Sequence, residues 1–155
     1  ASKGCSVDML DVAVLGATQV DVDFNVNVNT ESDGVLLHGI GGHMDTAAGA
    51  AMTVVVTPLF RGRMPMVVDR VLTVTTPGNT VDAVVTERGV AVNPQRKDLF
   101  DNLRGKGIPL VEIGDLKKMA EELTGVPGTL PFGEKVVGIV EYRDGTVIDT
   151  IRQRL

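Results

Sequence analysis

Aromatic side chains are scarce: they make up 3% of the 155 residues, with one tyrosine and no tryptophan. A core without large rings must be closed by Val, Leu, Ile, Ala and Met at short distances, and the apolar fraction of 43% supplies enough of them. Cysteine is nearly absent too. Cys5 stands alone, which excludes an internal disulfide and suits the reducing cytoplasm. It has no histidine or helical context that would activate it as a nucleophile. Long apolar runs are missing: the longest, residues 47–57, is broken by Thr53 and falls short of the ~20 residues of a membrane span. Basic excess is missing as well. Net charge is −5 with both signs interspersed, so no nucleic-acid footprint is present.

What remains centres on Leu36–Ala51, LLHGIGGHMDTAAGAA. Apolar Leu36, Leu37 and Ile40 flank His38. Gly39, Gly41 and Gly42 then open the backbone, and Asp45 leads into small residues. The pattern reads as strand, glycine turn and helix, an arrangement that exposes backbone N–H groups to phosphates, thioesters or carboxylates. The loop lacks the spacing and the Lys-Ser/Thr of a nucleoside triphosphate loop, and it does not match the dinucleotide fingerprint.

In chain order, residues 11–17 read as a buried strand. Residues 20–28 alternate strictly, with Val20, Val22, Phe24, Val26 and Val28 on one face and Asp21, Asp23, Asn25 and Asn27 on the other. Residues 30–34 form a turn, and 35–39 form the strand leading to the glycine loop, which places His38 in the core. Residues 53–57 read as a fully buried strand, with Arg61-Gly62-Arg63 on the loop beyond. Residues 66–76 are extended, 77–79 turn, and 81–86 and 90–92 are strands. Asn93-Pro94 opens a helix that ends by Gly105 or Gly107. Residues 108–113 form a short strand. Asp115 caps a helix whose Leu116, Met119, Ala120 and Leu123 make one apolar stripe, ended by Gly125. Residues 126–131 form a loop, and Asp144-Gly145 joins a final hairpin. Strands interspersed with helices indicate an α/β fold. Ala1-Ser2-Lys3-Gly4 has no initiator Met and leads straight into a patterned segment, so the sequence reads as a piece of a longer chain.

Two chemistries are open from the residues. His38, His43 and Asp45 form an HxxxxHxD pattern, and Gly-His-Met-Asp-Thr matches the His-x-Asp segment of zinc aminoacylases and dipeptidases, so a zinc hydrolase built on His43 and Asp45 is one reading. The third histidine of those enzymes is missing, and Glu121-Glu122 fall on the solvated face of a helix, so no metal is expected. The other chemistry is anion binding. Arg61 and Arg63, past the end of a buried strand, suit a carboxylate clamp.

Longer motifs carry a family likeness. Gly16, Ala17, Gln19, Val20, Asp21 and Asn27, followed by Gly39, Gly41, Gly42, Asp45, Gly49 and Ala50, resemble the glycine-loop half of the CoA-transferases. Asp23–Val28, Ser32-Asp33-Gly34, Arg61–Pro65, Thr76-Pro77-Gly78, Gly89–Pro94 and Tyr142–Gly145 make the chain more specifically similar to the citrate lyase alpha chain family. The resemblance implies an α/β CoA-transferase-like (NagB/RpiA-like) fold: a mostly parallel sheet with flanking helices and a C-terminal β-hairpin. It implies that residues 1–155 form the C-terminal domain of a two-domain chain.

The implied activity is exchange of acetate for citrate on a thioester carried by an acyl-carrier protein, alongside a lyase beta subunit. The thiol belongs to CoA or to a phosphopantetheine arm on the carrier, and this chain holds no covalent cofactor. A homo-oligomer without nucleic-acid or membrane partners is expected. Asn27, Gly39, Gly41, Gly42, His43, Asp45, Arg61 and Arg63 are the expected substrate and thioester contacts. Backbone N–H groups of Gly41, Gly42 and His43 suit the developing oxyanion, each worth roughly 3 kcal/mol when well placed. No glutamyl nucleophile motif occurs, so the catalytic residue is not identified and the fragment alone is expected to be inactive. The non-enzymatic alternative is a carrier-docking domain.

Overall fold

The computed structural model describes residues 5–31 and 33–155. Ser32, in the expected 30–34 turn, and the opening residues 1–4 lie outside the described residues. In chain order the elements begin with β1 (Val12–Gly16), β2 (Gln19–Asp21), β3 (Val26–Asn27), α1 (His43–Gly49) and β4 (Met52–Val56). Then follow β5 (Phe60–Arg61), β6 (Met64–Pro65), β7 (Val67–Val68), β8 (Ala83–Thr86) and β9 (Gly89–Val92). Helices α2 (Lys97–Leu103) and α3 (Ile113–Thr124) precede β10 (Phe132–Glu141) and β11 (Val147–Arg154). No helix among the described residues is long and apolar enough to cross a membrane.

The main sheet has order β1-β4-β8-β9, parallel up to β8 and antiparallel at β9. Period-two alternation sorts its residues. Ala13, Thr53, Val55, Val84 and Ala91 are buried on one face. α1 lies against that face, where the Thr53 hydroxyl donates to the Ala47 carbonyl (3.0 Å). Ile113, Leu116 and Ala120 of α3 close the same core, with Met119 packed against it, whereas Leu123, the last member of the expected stripe, is 58% exposed. On the other face Val12, Val14 and Val56 are 49%, 67% and 46% exposed. The expected buried strand 11–17 therefore holds a single buried residue, Ala13, and the run 53–57 is buried on alternate residues rather than throughout. A parallel strand reads as continuously apolar when both faces are covered, and among the described residues only one is.

Five further expectations need correction. The alternating run 20–28 is two short strands, because the chain turns at Val22–Phe24, where Phe24 sits at φ +65°. Residues 35–39 form no strand. A single bridge, Thr30 to Leu36, links them to a neighbour, and Leu36, Leu37 and His38 are exposed. With no sheet beside it, this apolar segment buries little, and His38 is not a core residue. Asn93 does not cap α2: its amide nitrogen donates to the carbonyls of Gly78 and Val81, and the helix starts later, with Arg96 at the N-cap. Residues 108–113 make only one bridge, Val90 to Leu110. The preceding Gly105 and Gly107 turn with positive φ, Pro109 has no N–H to donate, and Ile113 already belongs to α3. Asp115 lies inside the first turn of α3, and Glu112 occupies the N-cap.

The final hairpin forms as its Asp-Gly pair indicates. Gly145 adopts φ +90°, and the Asp144 carboxylate accepts from the Thr146 N–H (2.9 Å) and hydroxyl (2.6 Å).

Gly78 is fixed by space. A Cβ there would run into the Asp23 carbonyl and within 2.9 Å of Asn25 N. Gly78→Ala is expected to destabilise the fold by about 1–3 kcal/mol. Gly128→Ala, at a position with nothing within 4 Å, should stay within about 0.5 kcal/mol of the parent. Urea unfolding of the two variants checks the contrast.

Candidate functional site

The site is framed by buried polar side chains. Asp21 and Asn27 are 1% and 0% exposed. The Asp21 carboxylate accepts from the backbone N–H groups of Asp23 (3.0 Å), Asn25 (2.9 Å) and Val71 (3.2 Å) and from the Asn25 amide (3.2 Å). Burial pushes its pKa up against the pull of those donors. The Asn27 amide donates to the carbonyl and hydroxyl of Thr30, and its oxygen accepts from the N–H groups of Asn29 and Thr30. Asn27 is thus engaged on both sides by its own chain.

This frame places two chain segments at the carboxyl edge of the parallel strands, where open α/β sheets hold their ligands. Gly16 ends β1, and Ala17 and Thr18 follow it. The β5–β6 hairpin follows β4. Gly39–Gly42 lies against the first of these, exposed, with Gly41 at φ +60°. Gly16, Ala17, Thr18, His38, Ile40 and His43 line a hollow of about 290 Å³. Thr18 also lines a smaller hollow with Glu31, Arg61 and Met64. His43 lines the first hollow and Arg61 the second, with Thr18 common to both, while Gly39, Gly41 and Gly42 line neither. Arg63 sits exposed on the hairpin tip, outside both hollows.

His43 is the tie between these parts. Its Nε2 lies 2.9 Å from the Gly16 carbonyl, and its Nδ1 lies 2.6 Å from the Thr76 hydroxyl. A carbonyl only accepts, so Nε2 carries the proton and Nδ1 accepts from Thr76. The neutral ring fits both partners, and burial lowers its pKa below the ordinary 6.5 while the bond to Gly16 works against that shift. Both nitrogens are engaged within the chain, with neither turned to a ligand. Asp45 faces Arg143 of the C-terminal hairpin, Oδ1 to Nε at 3.6 Å, and Arg143 also reaches Asp8 at 2.7 Å. The hairpin tip is thereby fastened to α1. Among the described residues no group of three or more His, Cys, Asp or Glu side chains is placed to hold a metal ion.

Three participants escape a reading of sequence pattern. Thr76 and the Gly16 carbonyl hold His43, and only the Thr-Pro-Gly motif hinted that Thr76 matters. Asn29 donates to the His38 carbonyl (2.8 Å), anchoring the approach to the loop. Its buried Oδ1 has no hydrogen-bond donor among the described residues.

A family model described as citrate lyase, alpha subunit (CitF) matches residues 1–154. The chain belongs to the citrate lyase alpha subunit family. It is 57% identical over 152 residues to the citrate lyase alpha chain of Klebsiella pneumoniae and 53% identical over 152 residues to that of Escherichia coli K12. Each match covers 98% of this chain and 30% of the relative, so the chain spans about a third of the length of these alpha chains. A solved alpha subunit of citrate lyase from Streptococcus mutans, in complex with citrate, superposes with a TM-score of 0.97 at 49% identity. That match covers 99% of this chain and 30% of the other. The mixed α/β fold is therefore that of a citrate lyase alpha subunit, and the glycine loop described above is part of an alpha-subunit fold.

The His43 bridge has a consequence for pH. Because the folded ring resists protonation, its contribution to stability is complete above the ordinary value of 6.5 and is lost as pH falls through the lower folded value. The parent should lose stability on acidification across that window. His43→Gln should start less stable and lose less over the same range, so the gap between the two narrows. Denaturant titrations at stepped pH measure it. A constant gap would show that the ring is not held neutral.

Proposed function

We propose that this chain forms the glycine-loop part of a citrate:acyl-carrier transferase, the activity by which acetyl-carrier and citrate become citryl-carrier and acetate. The acetyl C–S bond and one carboxylate C–O bond of citrate break, a citryl C–S bond forms, and the citrate oxygen ends on the acetyl carbon, which leaves as acetate. The sulfur belongs to CoA or to a phosphopantetheine arm on a carrier protein. The enzyme works in the cytoplasm as a homo-oligomer with that carrier and a lyase beta subunit. The remaining length of the alpha chain supplies the facing half of the site.

The single observation behind this reading is the grouping of an exposed glycine loop, the 290 Å³ hollow and Arg61 at the carboxyl edge of the parallel strands, in a chain whose Streptococcus mutans relative was solved with citrate. Gly41 and Gly42 are exposed, and their backbone N–H groups are the donors this reading assigns to the reacting carbonyl. Such donors stabilise a carbonyl oxygen as charge develops on it. Arg61 supplies a counter-charge for a citrate carboxylate beside Thr18. His43 acts by holding the loop to Gly16 and Thr76 rather than by moving a proton.

The test is exchange between acetyl-CoA and citrate, followed by mass spectrometry. The full-length alpha chain should produce citryl-CoA, and the 155 residues by themselves should not. Arg61→Gln should raise KM for citrate by roughly 10–100-fold, the worth of one charge-assisted hydrogen bond, with kcat little changed. Arg63→Gln should leave both nearly as they were. Failure of the full-length chain to form citryl-CoA, or equal effects at Arg61 and Arg63, would overturn the reading.

A further inference from the structure

A second cavity, sharing no lining residue with the glycine-loop hollow, lies between the C-terminal hairpin and residues 70–73. Its volume is about 470 Å³. Arg70 and Arg152 line it from opposite segments, together with Thr150 of β11. Leu72 and Phe132 give it apolar walls, and the buried hydroxyls of Thr30 and Thr73, 3.2 Å apart, lie beneath. Arg70, Leu72 and Phe132 also border an adjoining groove of about 390 Å³, so the two spaces are continuous around Arg70.

The charges do not balance inside this cavity. Among the described residues neither Arg70 nor Arg152 has a carboxylate within ion-pair distance, in a chain whose net charge is −5. The nearby acids are taken. Asp33 pairs with Arg154 (3.2 Å), and Asp69 and Glu121 both pair with Lys117 (3.4 Å each). Asp149 also lines the cavity and sets one negative charge against the two positive ones, its oxygens accepting from the backbone N–H groups of Val74 and Thr150, 2.7 Å each. Two exposed arginines lining a concave, partly apolar space, with a net positive charge left over, match one ligand chemistry. It is an oxyanion on an uncharged body, because planar guanidinium forks bind carboxylate and phosphate two hydrogen bonds at a time.

We propose that this cavity binds a small organic oxyanion, a carboxylate or a phosphate ester, with Arg70 and Arg152 as its counter-charges and the Thr150 hydroxyl as an added donor. The apolar body of the ligand lies against Leu72 and Phe132. The site is independent of the acyl-exchange reading, since its residues differ from those of the glycine loop and Arg61.

Titration calorimetry on the full-length alpha chain at low ionic strength tests it, with benzoate and phenyl phosphate as the two probes. At least one probe should bind in the millimolar range or tighter, with affinity falling as salt rises. The double variant R70Q/R152Q should bind at least about tenfold more weakly, R70K/R152K should retain part of the affinity, and Arg88→Gln, in the turn between β8 and β9, should bind as the parent does. Preference for benzoate assigns the site to carboxylates, and preference for phenyl phosphate assigns it to phosphate esters. The proposal is overturned if neither probe saturates, or if R70Q/R152Q binds as the parent does while its thermal midpoint is unchanged. It is equally overturned if the variant's loss of binding only follows a lowered midpoint that R70K/R152K shares.

Discussion

The structure depends on a buried carboxylate that no cation meets among the described residues. Asp21 is 1% exposed, and every partner it has is an N–H group. Three come from the turn it begins and one from Val71, fifty residues on. Asn25 continues the same scheme by accepting from the Gly78 N–H, and the Thr30 hydroxyl meets that of Thr73, so that segment 19–30 is stitched to segment 71–78 by polar side chains instead of a long sheet. Thr75 adds to it, accepting from Val28 N–H and donating to the Val26 carbonyl. A charge-assisted hydrogen bond contributes more than a neutral one, and losing a partner inside such a network leaves a buried polar group unmatched, which costs about 1–3 kcal/mol. Short strands of two or three residues can be held in register only because these side chains do what longer ladders do elsewhere.

The functional edge inherits its geometry from that network. Thr76 is the neighbour of Thr75, and its hydroxyl fixes the His43 ring. His43 in turn reaches the Gly16 carbonyl at the end of β1. A loop containing three glycines would otherwise sample many conformations. Here its far end is tied to the network through His43, and its near end is tied through Asn29, which holds the His38 carbonyl. The hairpin fastens α1 from the other side through Arg143 and Asp45. Glycine provides open backbone at the site, and side chains outside the loop provide its rigidity.

Much of the element order was legible from the sequence. The strands at 12–16, 52–56 and 83–86, the helix α3 and the Asp-Gly hairpin follow from apolar pattern and turn chemistry, although Val12, Val14, Val56 and Leu123 of those elements are exposed. Pattern misled where an apolar residue is not buried. Leu36 and Leu37 look like a strand but have no sheet beside them, and they carry His38 out to the surface with them. Polar residues misled in a different way. Asn93 and Asp115 look like helix caps, because local pattern reveals the chemistry of a side chain and not its distant partner. Asn93 joins Gly78 and Val81 instead. The motif residues at the site were visible as a family likeness, but the partners that set their roles, Gly16 and Thr76 for His43 and Arg143 for Asp45, lie 27, 33 and 98 positions away.

Native-state hydrogen exchange tests most directly whether the polar network is the keystone. The informative amides are Val28, which donates to Thr75, Thr30, which donates to Asn27, Val71, which donates to Asp21, and Gly78, which donates to Asn25. All four should exchange only through global unfolding, with the same opening free energy as the amides of Val54 and Val55 in the centre of the main sheet. The amides of Gly39–Gly42 should exchange far faster. Fast local exchange at Val28, Thr30, Val71 and Gly78, while the sheet stays protected, would contradict the account, because the frame of the site would then open without the fold.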